Sequence, residues 1–195
     1  MKIPNRMVGC LVVAICAIVS RPVCADGPAS PPQFNFFMFD DTNVVDAWGS
    51  PPITVSNVFL VPSWDSNAVE IANTEPAILR YRETQDTGYP NIFFDEGTVS
   101  MWFQPYWSST NLGGPGPGTC ARFVELGTVT DDASIGWWSL YTDPEGCHLY
   151  FAAQTNGSEA LYLATPVEFT SNQWYQVALT YTPSNSAIYL NDQLL

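Results

Sequence analysis

Residues 173–195, QWYQVALTYTPSNSAIYLNDQLL, constrain the fold of this chain most, because they have the pattern of a β-hairpin. Four apolar residues at every second position, from Tyr175 to Tyr181, form one row on one face of a strand. Residues 182–186 contain Pro and Asn, which favour a loop, and residues 187–190 are rich in β-forming side chains. Asn191 and Asp192 tolerate left-handed backbone conformations and predict a tight turn. The stretch therefore predicts two antiparallel strands and the start of a third.

The rest of the chain also predicts strands. Short apolar or alternating runs are separated by Gly, Pro, Asn and Asp, and no amphipathic helical pattern occurs. The predicted strands are residues 34–39, 53–61, 68–72, 77–82, 97–105, 122–126, 136–141, 148–152 and 161–164. This pattern indicates one all-β sandwich domain. The Gly- and Pro-rich run at residues 113–118 predicts a mobile surface loop.

The first 25 residues have the features of a secretory signal peptide. Lys2 and Arg6 precede an apolar run at residues 7–19, and Val23-Cys24-Ala25 is a small-residue cleavage site. The run is short for a membrane span, so we expect cleavage before Asp26 rather than an uncleaved anchor, and no membrane insertion of the mature chain. Residues 26–33 then form a Pro- and Gly-rich linker, and the protein is expected to be secreted or held at the cell surface.

Two motifs resemble LamG-like domains of the concanavalin A-like lectin/glucanase superfamily, as found in secreted bacterial proteins. The first is the hairpin, where Trp174 precedes VALTY and a YLND turn; the family usually has Gly where this chain has Asp192. The second is GTVSMWFQP at residues 97–105, with weaker matches at DAWG (46–49) and GWWSL (136–140). The resemblance covers residues 34–195 and implies an antiparallel two-sheet jelly-roll sandwich. Since Leu195 would begin a strand without a partner, we expect the chain to end before the last strands of that fold and to be marginally stable alone.

Charge limits the partners. Removal of the signal peptide takes Lys2, Arg6 and Arg21 with it and leaves three arginines against 19 acidic residues, a net charge of −16. Such a surface repels nucleic acid and anionic membranes. It is compatible with solubility outside the cell or with binding of divalent cations.

No pattern in the sequence indicates catalysis. A retaining glycosidase needs two carboxyl groups ~5 Å apart, which alternate positions on one strand provide. The superfamily's hydrolases resemble one another in an E-x-D-x-x-E or E-x-D-x-E strand that this chain lacks. Asp143 and Glu145 have the spacing but lie in a predicted turn, and the single histidine, His148, is a poor base candidate beside that turn. We therefore expect a protein that is not an enzyme.

Tryptophans and loop acids are the candidate ligand contacts. Trp48, Trp64 and Trp107 lie in predicted loops, where an indole can stack on a sugar, whereas Trp102, Trp138 and Trp174 match strand positions and are expected in the core. The resemblance implies that loop oxygens can hold calcium, although no dedicated calcium loop occurs. The candidate ligands for that ion are Asp40, Asp41, Asp46, Asp131 and Asp132.

Two cysteines, Cys120 and Cys147, remain after the signal peptide. An even number in an oxidising compartment favours one disulfide bond. In a simple meander they begin the first and third of three neighbouring strands, ~9.5 Å apart, and a disulfide needs less than ~7 Å between Cα atoms. Sheet twist can bring the two strand ends closer, so the sequence leaves two interpretations open, a disulfide bond or two separate thiols.

Together these features predict a secreted, non-catalytic recognition module that binds a glycan or a surface protein. The alternative is a purely structural module of a larger exported protein. A weaker alternative is the accessory part of a glycan-degrading enzyme.

Overall fold

The computed structural model describes residues 51–63, 67–71, 77–128, 136–155 and 158–195, and the backbone of residues 16–19 and 33–36. Side chains are described throughout except in those two N-terminal strands and at residues 155, 158 and 159. The strands are β1 (Cys16–Val19), β2 (Gln33–Phe36), β3 (Thr54–Ser56), β4 (Val58–Pro62), β5 (Asn67–Ile71), β6 (Ile78–Arg80), β7 (Gly97–Phe103), β8 (Ala121–Gly127), β9 (Trp137–Thr142), β10 (His148–Thr155), β11 (Ser158–Pro166), β12 (Tyr175–Tyr181), β13 (Ser186–Leu190) and β14 (Gln193–Leu194). A short 3₁₀ helix spans Thr110–Leu112. The predicted all-β class is confirmed.

Four antiparallel sheets contain these strands. Sheet I has the order β14-β13-β12-β7-β1-β2, and sheet II is the meander β11-β10-β9-β8. Two further sheets are the pairs β3-β6 and β4-β5. The predicted strand at residues 53–61 is split into β3 and β4 because Asn57 has a positive φ of 52°.

Sheets I and II face each other across one hydrophobic core. In β12 every second residue is buried, as the alternation predicts, and these side chains join apolar side chains of β9 and β10 in one cluster. Aromatic contacts cross between the sheets: the ring centroids of Phe103 and Phe123 lie 4.9 Å apart, and those of Trp138 and Tyr181 lie 5.0 Å apart. The sandwich-like arrangement follows from these apolar faces, which cannot be buried by either sheet alone.

The C-terminal hairpin forms as the sequence predicts. β12 pairs with β13 from Val177↔Leu190 to Tyr181↔Ser186, and β13 turns into β14 through Asn191 and Asp192. Both turn residues have positive φ, 49° and 64°, which Asn and Asp tolerate better than most residues. The Asn191 side-chain oxygen also accepts a hydrogen bond from the backbone N–H of Gln176 at 2.8 Å. Asp192, where the resembled family has Gly, therefore fits this turn.

Trp102 differs from its predicted place in the core. Val99, Met101 and Phe103 of β7 are buried, so Trp102 points to the other face of sheet I, where 37% of its surface is exposed. Trp138 is in the main core, as expected, whereas Trp174 is partly buried in a small separate cluster around Ala68. The period of two along β7 places Trp102 outside the core despite its size.

The predicted signal peptide contributes backbone to the fold. β1 lies within residues 1–25, pairs with β2 along its whole length, and pairs with β7 at Cys16↔Ser100 and Ala17↔Val99. In the chain that retains these residues, β1 therefore lies between β7 and β2, and β2 forms the edge of sheet I.

Candidate ligand-binding surface

Most of the binding residues expected from the sequence lie outside the described part of the chain. This applies to Trp48, Trp64, Asp40, Asp41, Asp46, Asp131 and Asp132. Trp107 is described and is 7% exposed, and its ring packs against Phe103 and Phe169 at centroid distances of 6.0 and 5.7 Å. An indole buried in this way has no free face for a sugar, so the structure places Trp107 in the core and gives no support to its expected role as a ligand contact.

The disulfide between Cys120 and Cys147 is not formed in the structure; both residues are free cysteines. The predicted meander is correct, and it keeps the two cysteines apart because β9 lies between β8 and β10, the strands that they precede. The Cys147 sulfur contacts the Thr110 hydroxyl at 3.3 Å and lies 3.6 Å from the backbone oxygen of Glu145. Cys120 is exposed at the start of β8.

A group of aromatic side chains lies on the face of sheet II opposite the core. Leu140, Leu149 and Phe151 are buried in the core, so the residues that alternate with them point outward. Tyr141 and Tyr150 are direct partners across β9 and β10, and both are partly exposed. Their rings stack at a centroid distance of 5.2 Å and an angle of 20°.

His148 extends this stack. It lies two residues before Tyr150 on β10 and therefore on the same face, with the two ring centroids 5.9 Å apart at an angle of 36°. We call Tyr141, Tyr150 and His148 the aromatic ladder. Arg122 of β8 lies directly across from Tyr141, and Ala164 of β11 lies directly across from Tyr150.

The turn between β9 and β10 fixes the orientation of the histidine. Asp143 accepts hydrogen bonds from the backbone N–H groups of Cys147 at 2.7 Å and His148 at 3.3 Å. Its second carboxylate oxygen lies 2.8 Å from Nδ1 of His148. Because a carboxylate is an acceptor, Nδ1 of His148 is the donor in this contact. The His148 side chain is 45% exposed, so it is held in place and accessible.

The surroundings of Tyr150 favour its neutral form. Burial raises the pKa of its phenol above the usual value, and electrostatic interactions with Asp143, Cys120 and Glu145 raise it further. Tyr150 therefore stays a neutral phenol, which can donate and accept hydrogen bonds, over the whole neutral range.

The loop at residues 107–118 is hydrogen-bonded to the turn between β9 and β10. The backbone N–H groups of Thr110 and Gly118 donate to the carbonyls of Glu145 and Pro144, at 3.0 and 2.9 Å. The buried hydroxyl of Ser109 donates to the Gly146 carbonyl and accepts from the N–H of Phe169 at 2.8 Å. The expectation of a mobile loop is therefore wrong, because its polar backbone groups find partners in the neighbouring turn and strand.

The ladder was not identified from the sequence, although the signal is present. Residues 143–147 form the turn, so Tyr141 and Tyr150 are nearly equidistant from its centre and face each other once the hairpin forms. The sequence does not specify the pairing register of β9 and β10, and a shift of one residue would turn these side chains into the core.

No protein-family model, curated protein or solved structure matches this chain. Within the described ranges, no group of three or more His, Cys, Asp or Glu side chains is arranged to hold a metal ion. The helical content of the same ranges includes no segment with the length and hydropathy of a membrane span.

Proposed function

We propose that this protein is an exported, LamG-like recognition module that binds a glycan through the aromatic ladder. The observation that carries the proposal is the pairing of two partly exposed side chains, Tyr141 and Tyr150, beside a histidine held by Asp143. The sandwich-like fold, in which sheets I and II pack through one core, is compatible with a domain of the jelly-roll type.

The chemistry of the ladder suits a sugar. The C–H face of a pyranose packs on an aromatic ring, while its hydroxyl groups need donors and acceptors nearby. Tyr141 and Tyr150 stack on each other and both side chains remain partly exposed, so part of each ring is accessible. Their phenol groups and Nε2 of His148 supply the polar partners. Because these side chains stand on paired strands rather than on a loop, the surface is preformed and ordering it on binding loses little entropy.

The test is binding of the exported protein to a glycan array, compared with a Tyr150→Ala variant. We expect binding to at least one glycan and a reduction of about two- to tenfold in the variant, the range of one aromatic contact. Tyr89→Ala is the matched control, because Tyr89 is 63% exposed and lies in the loop between β6 and β7, outside the strands of sheet II.

Three results would contradict the proposal. Absence of binding to every glycan would favour a structural module in a larger exported protein. Equal losses in Tyr150→Ala and Tyr89→Ala would place the binding site away from the ladder. Hydrolysis of a bound glycan would show an enzyme.

A further inference from the structure

The outer face of sheet I differs in charge from the rest of the chain. Strands β7, β12, β13 and β14 contain no Asp, Glu, Lys, Arg or His, whereas the whole chain has 19 acidic residues and a net charge of −13. Val99, Val177 and Ile188 of these strands are buried in the core, so the residues that alternate with them point away from it. We call this outward side of the four strands the neutral face.

One row of side chains crosses the neutral face. Its members are successive partners across β7, β12, β13 and β14, namely Ser100, Ala178, Tyr189 and Leu194. Tyr189 is partly exposed and Leu194 is 66% exposed, so a phenol ring and an aliphatic group stand at one end of the row. The side chains of Ala178 and Ser100 are short, and the surface beside the Tyr189 ring is therefore shallow.

Polar groups lie beside this shallow area. The side-chain N–H of Gln176 donates to the Ser100 hydroxyl at 3.3 Å, and the backbone N–H of Gln176 donates to the side-chain oxygen of Asn191 at 2.8 Å. Gln176 is the partner of Trp102 across β12 and β7, and 37% of the Trp102 surface is exposed. An amide and a hydroxyl group therefore have defined positions next to aromatic surface.

The size of the neutral face disfavours a protein partner. Three strand spacings separate β14 from β7, ~14 Å, and four residues separate Thr98 from Trp102, also ~14 Å, which gives an area of about 200 Å². Including β1 and β2 raises this area to about 340 Å², whereas each partner of a stable protein–protein complex contributes about 800 Å². A second copy of this chain has the same large negative charge and is also repelled.

From the charge, the size and the side chains together, we infer that the neutral face is a second binding surface and that its ligand is an uncharged glycan. The C–H side of a sugar ring packs on Tyr189, and the sugar hydroxyl groups exchange hydrogen bonds with Gln176 and Ser100. A glycan with carboxylate, sulfate or amine groups finds no counter-charge on these strands. The inference goes beyond the proposed function, because it concerns the other sheet and none of the ladder residues.

The two surfaces together make the module bivalent. Sheets I and II share one core, so their outer faces point in opposite directions. One molecule that uses both surfaces bridges two glycan chains, which raises its avidity for a polysaccharide. This consequence alone rests on the proposed function.

Variants of the two surfaces, measured side by side, test the inference. We would measure, by affinity electrophoresis, binding of the exported protein to three uncharged polysaccharides, a β-1,3-glucan, a galactomannan and a xyloglucan. We expect at least one to be bound and Tyr189→Ala to weaken that binding about two- to tenfold, the range of one aromatic contact. Added salt should leave the binding that depends on Tyr189 unchanged, because no ion pair contributes to it.

Leu194→Ala is the second variant, because Leu194 is 66% exposed and its truncation has little effect on folding. It should weaken the same binding by less than Tyr189→Ala does, and Tyr89→Ala, the control in the loop between β6 and β7, should leave it unchanged. Urea unfolding of each variant separates a loss of binding from a loss of folding. Tyr150→Ala and Tyr189→Ala should each abolish the turbidity that the parent protein produces with a polysaccharide, and the double variant should lose the remaining binding.

The outcomes separate the inference from the proposed function. Unchanged binding in Tyr189→Ala and Leu194→Ala, with a loss in Tyr150→Ala, would overturn the inference and leave glycan binding at the ladder intact. The reverse pattern would support the inference and contradict the ladder. A dimer in analytical ultracentrifugation that Tyr189→Ala abolishes would show that a second copy covers the neutral face, and weakening by salt would show a charged contact; either result would overturn the inference. Absence of binding to every polysaccharide would overturn both proposals.

Discussion

Replacement of Gly146 by alanine tests whether the loop at residues 107–118 packs against the turn between β9 and β10. Gly146 has a φ of +66°, a conformation that favours glycine. An added Cβ would lie 2.3 Å from Cζ3 and 2.9 Å from Cη2 of Trp107, and 3.1 Å from Cδ of Pro117. Trp107 is 7% exposed and wedged against two phenylalanines, so it has little room to move.

The expected loss of stability has two parts. The left-handed conformation costs an alanine about 1–2 kcal/mol relative to glycine. Pushing Trp107 from its packed position adds about 1–3 kcal/mol, the usual range for an overpacked core. The sum for Gly146→Ala is about 2–5 kcal/mol.

Gly118→Ala is the matched control. Gly118 has a φ of +76°, close to that of Gly146, but an added Cβ would meet no atom within 4 Å. It therefore carries the conformational part alone, about 1–2 kcal/mol. The difference between the two variants isolates the contact with Trp107.

Equilibrium unfolding in urea, followed by tryptophan fluorescence, measures both variants against the parent protein. We expect Gly146→Ala to have the lower midpoint, with an unchanged slope if unfolding stays two-state. Equal midpoints for Gly146→Ala and Gly118→Ala would refute the reasoning, because they would show that Trp107 is not packed against the turn.

Three further predictions follow from buried or unpaired groups. The Tyr181 hydroxyl donates to the carbonyl of Phe93 at 2.6 Å, so Tyr181→Phe should lose about 1–3 kcal/mol in urea unfolding by leaving that carbonyl unpaired. Burial, and secondarily Asp95, raises the pKa of Tyr181 above its usual value of 10.0, so its contribution to the free energy of unfolding is fully present below pH 10 and decreases at higher pH. Tyr181→Phe should therefore lose less stability than the parent protein as the pH is raised above 10. An equally steep loss of stability with pH in both proteins would contradict the assignment. Thiol titration of the denatured, unreduced protein should find both Cys120 and Cys147 free, with Cys120 the faster to react in the folded state; absence of free thiol would show that a disulfide forms. The indole nitrogen of Trp138 is buried without a partner among the described groups. Because Trp138→Phe removes this unpaired donor, it should lose clearly less stability than the ~3–5 kcal/mol typical of Trp→Ala in a core. Equal losses in Trp138→Phe and Trp138→Ala would contradict this.

The sequence predicts the local elements well where two independent signals agree. In the C-terminal hairpin, the alternation of β12 and the Asn191-Asp192 turn specify the same strand pair, and both appear as predicted. The pairing of β9 with β10 follows from the short turn at residues 143–147, which favours antiparallel neighbours. Size is a weaker signal than period, as Trp102 shows by lying outside the core in a strand whose alternate residues are buried.

Long-range partners are what the sequence could not provide. The Gly- and Pro-rich loop has no ladder of its own, and it is fixed only because Ser109 and Thr110 find partners at residues 145, 146 and 169. Burial of Trp107 has the same origin, since it depends on a distant glycine, Gly146, that leaves space for the indole. The ladder likewise depends on a register across β9 and β10 that no single strand encodes.

The strand β1 shows how one segment can satisfy two patterns. Cys16–Val19 is apolar enough for the hydrophobic part of a signal peptide, and the same residues suit a strand between two others. The two interpretations describe different chains, since cleavage before Asp26 removes β1 and with it the partner of Val99 and Ser100 on that side of β7. In the mature chain the order β14-β13-β12-β7 remains, and the outer backbone groups of β7 become a free edge at the centre of the former sheet. A free edge next to a buried core residue such as Val99 favours pairing with a new strand, and β2 would lose its partner β1 in the same step. We therefore predict that, if the chain is cleaved before Asp26, sheet I is completed by a pairing other than the one that β1 provides.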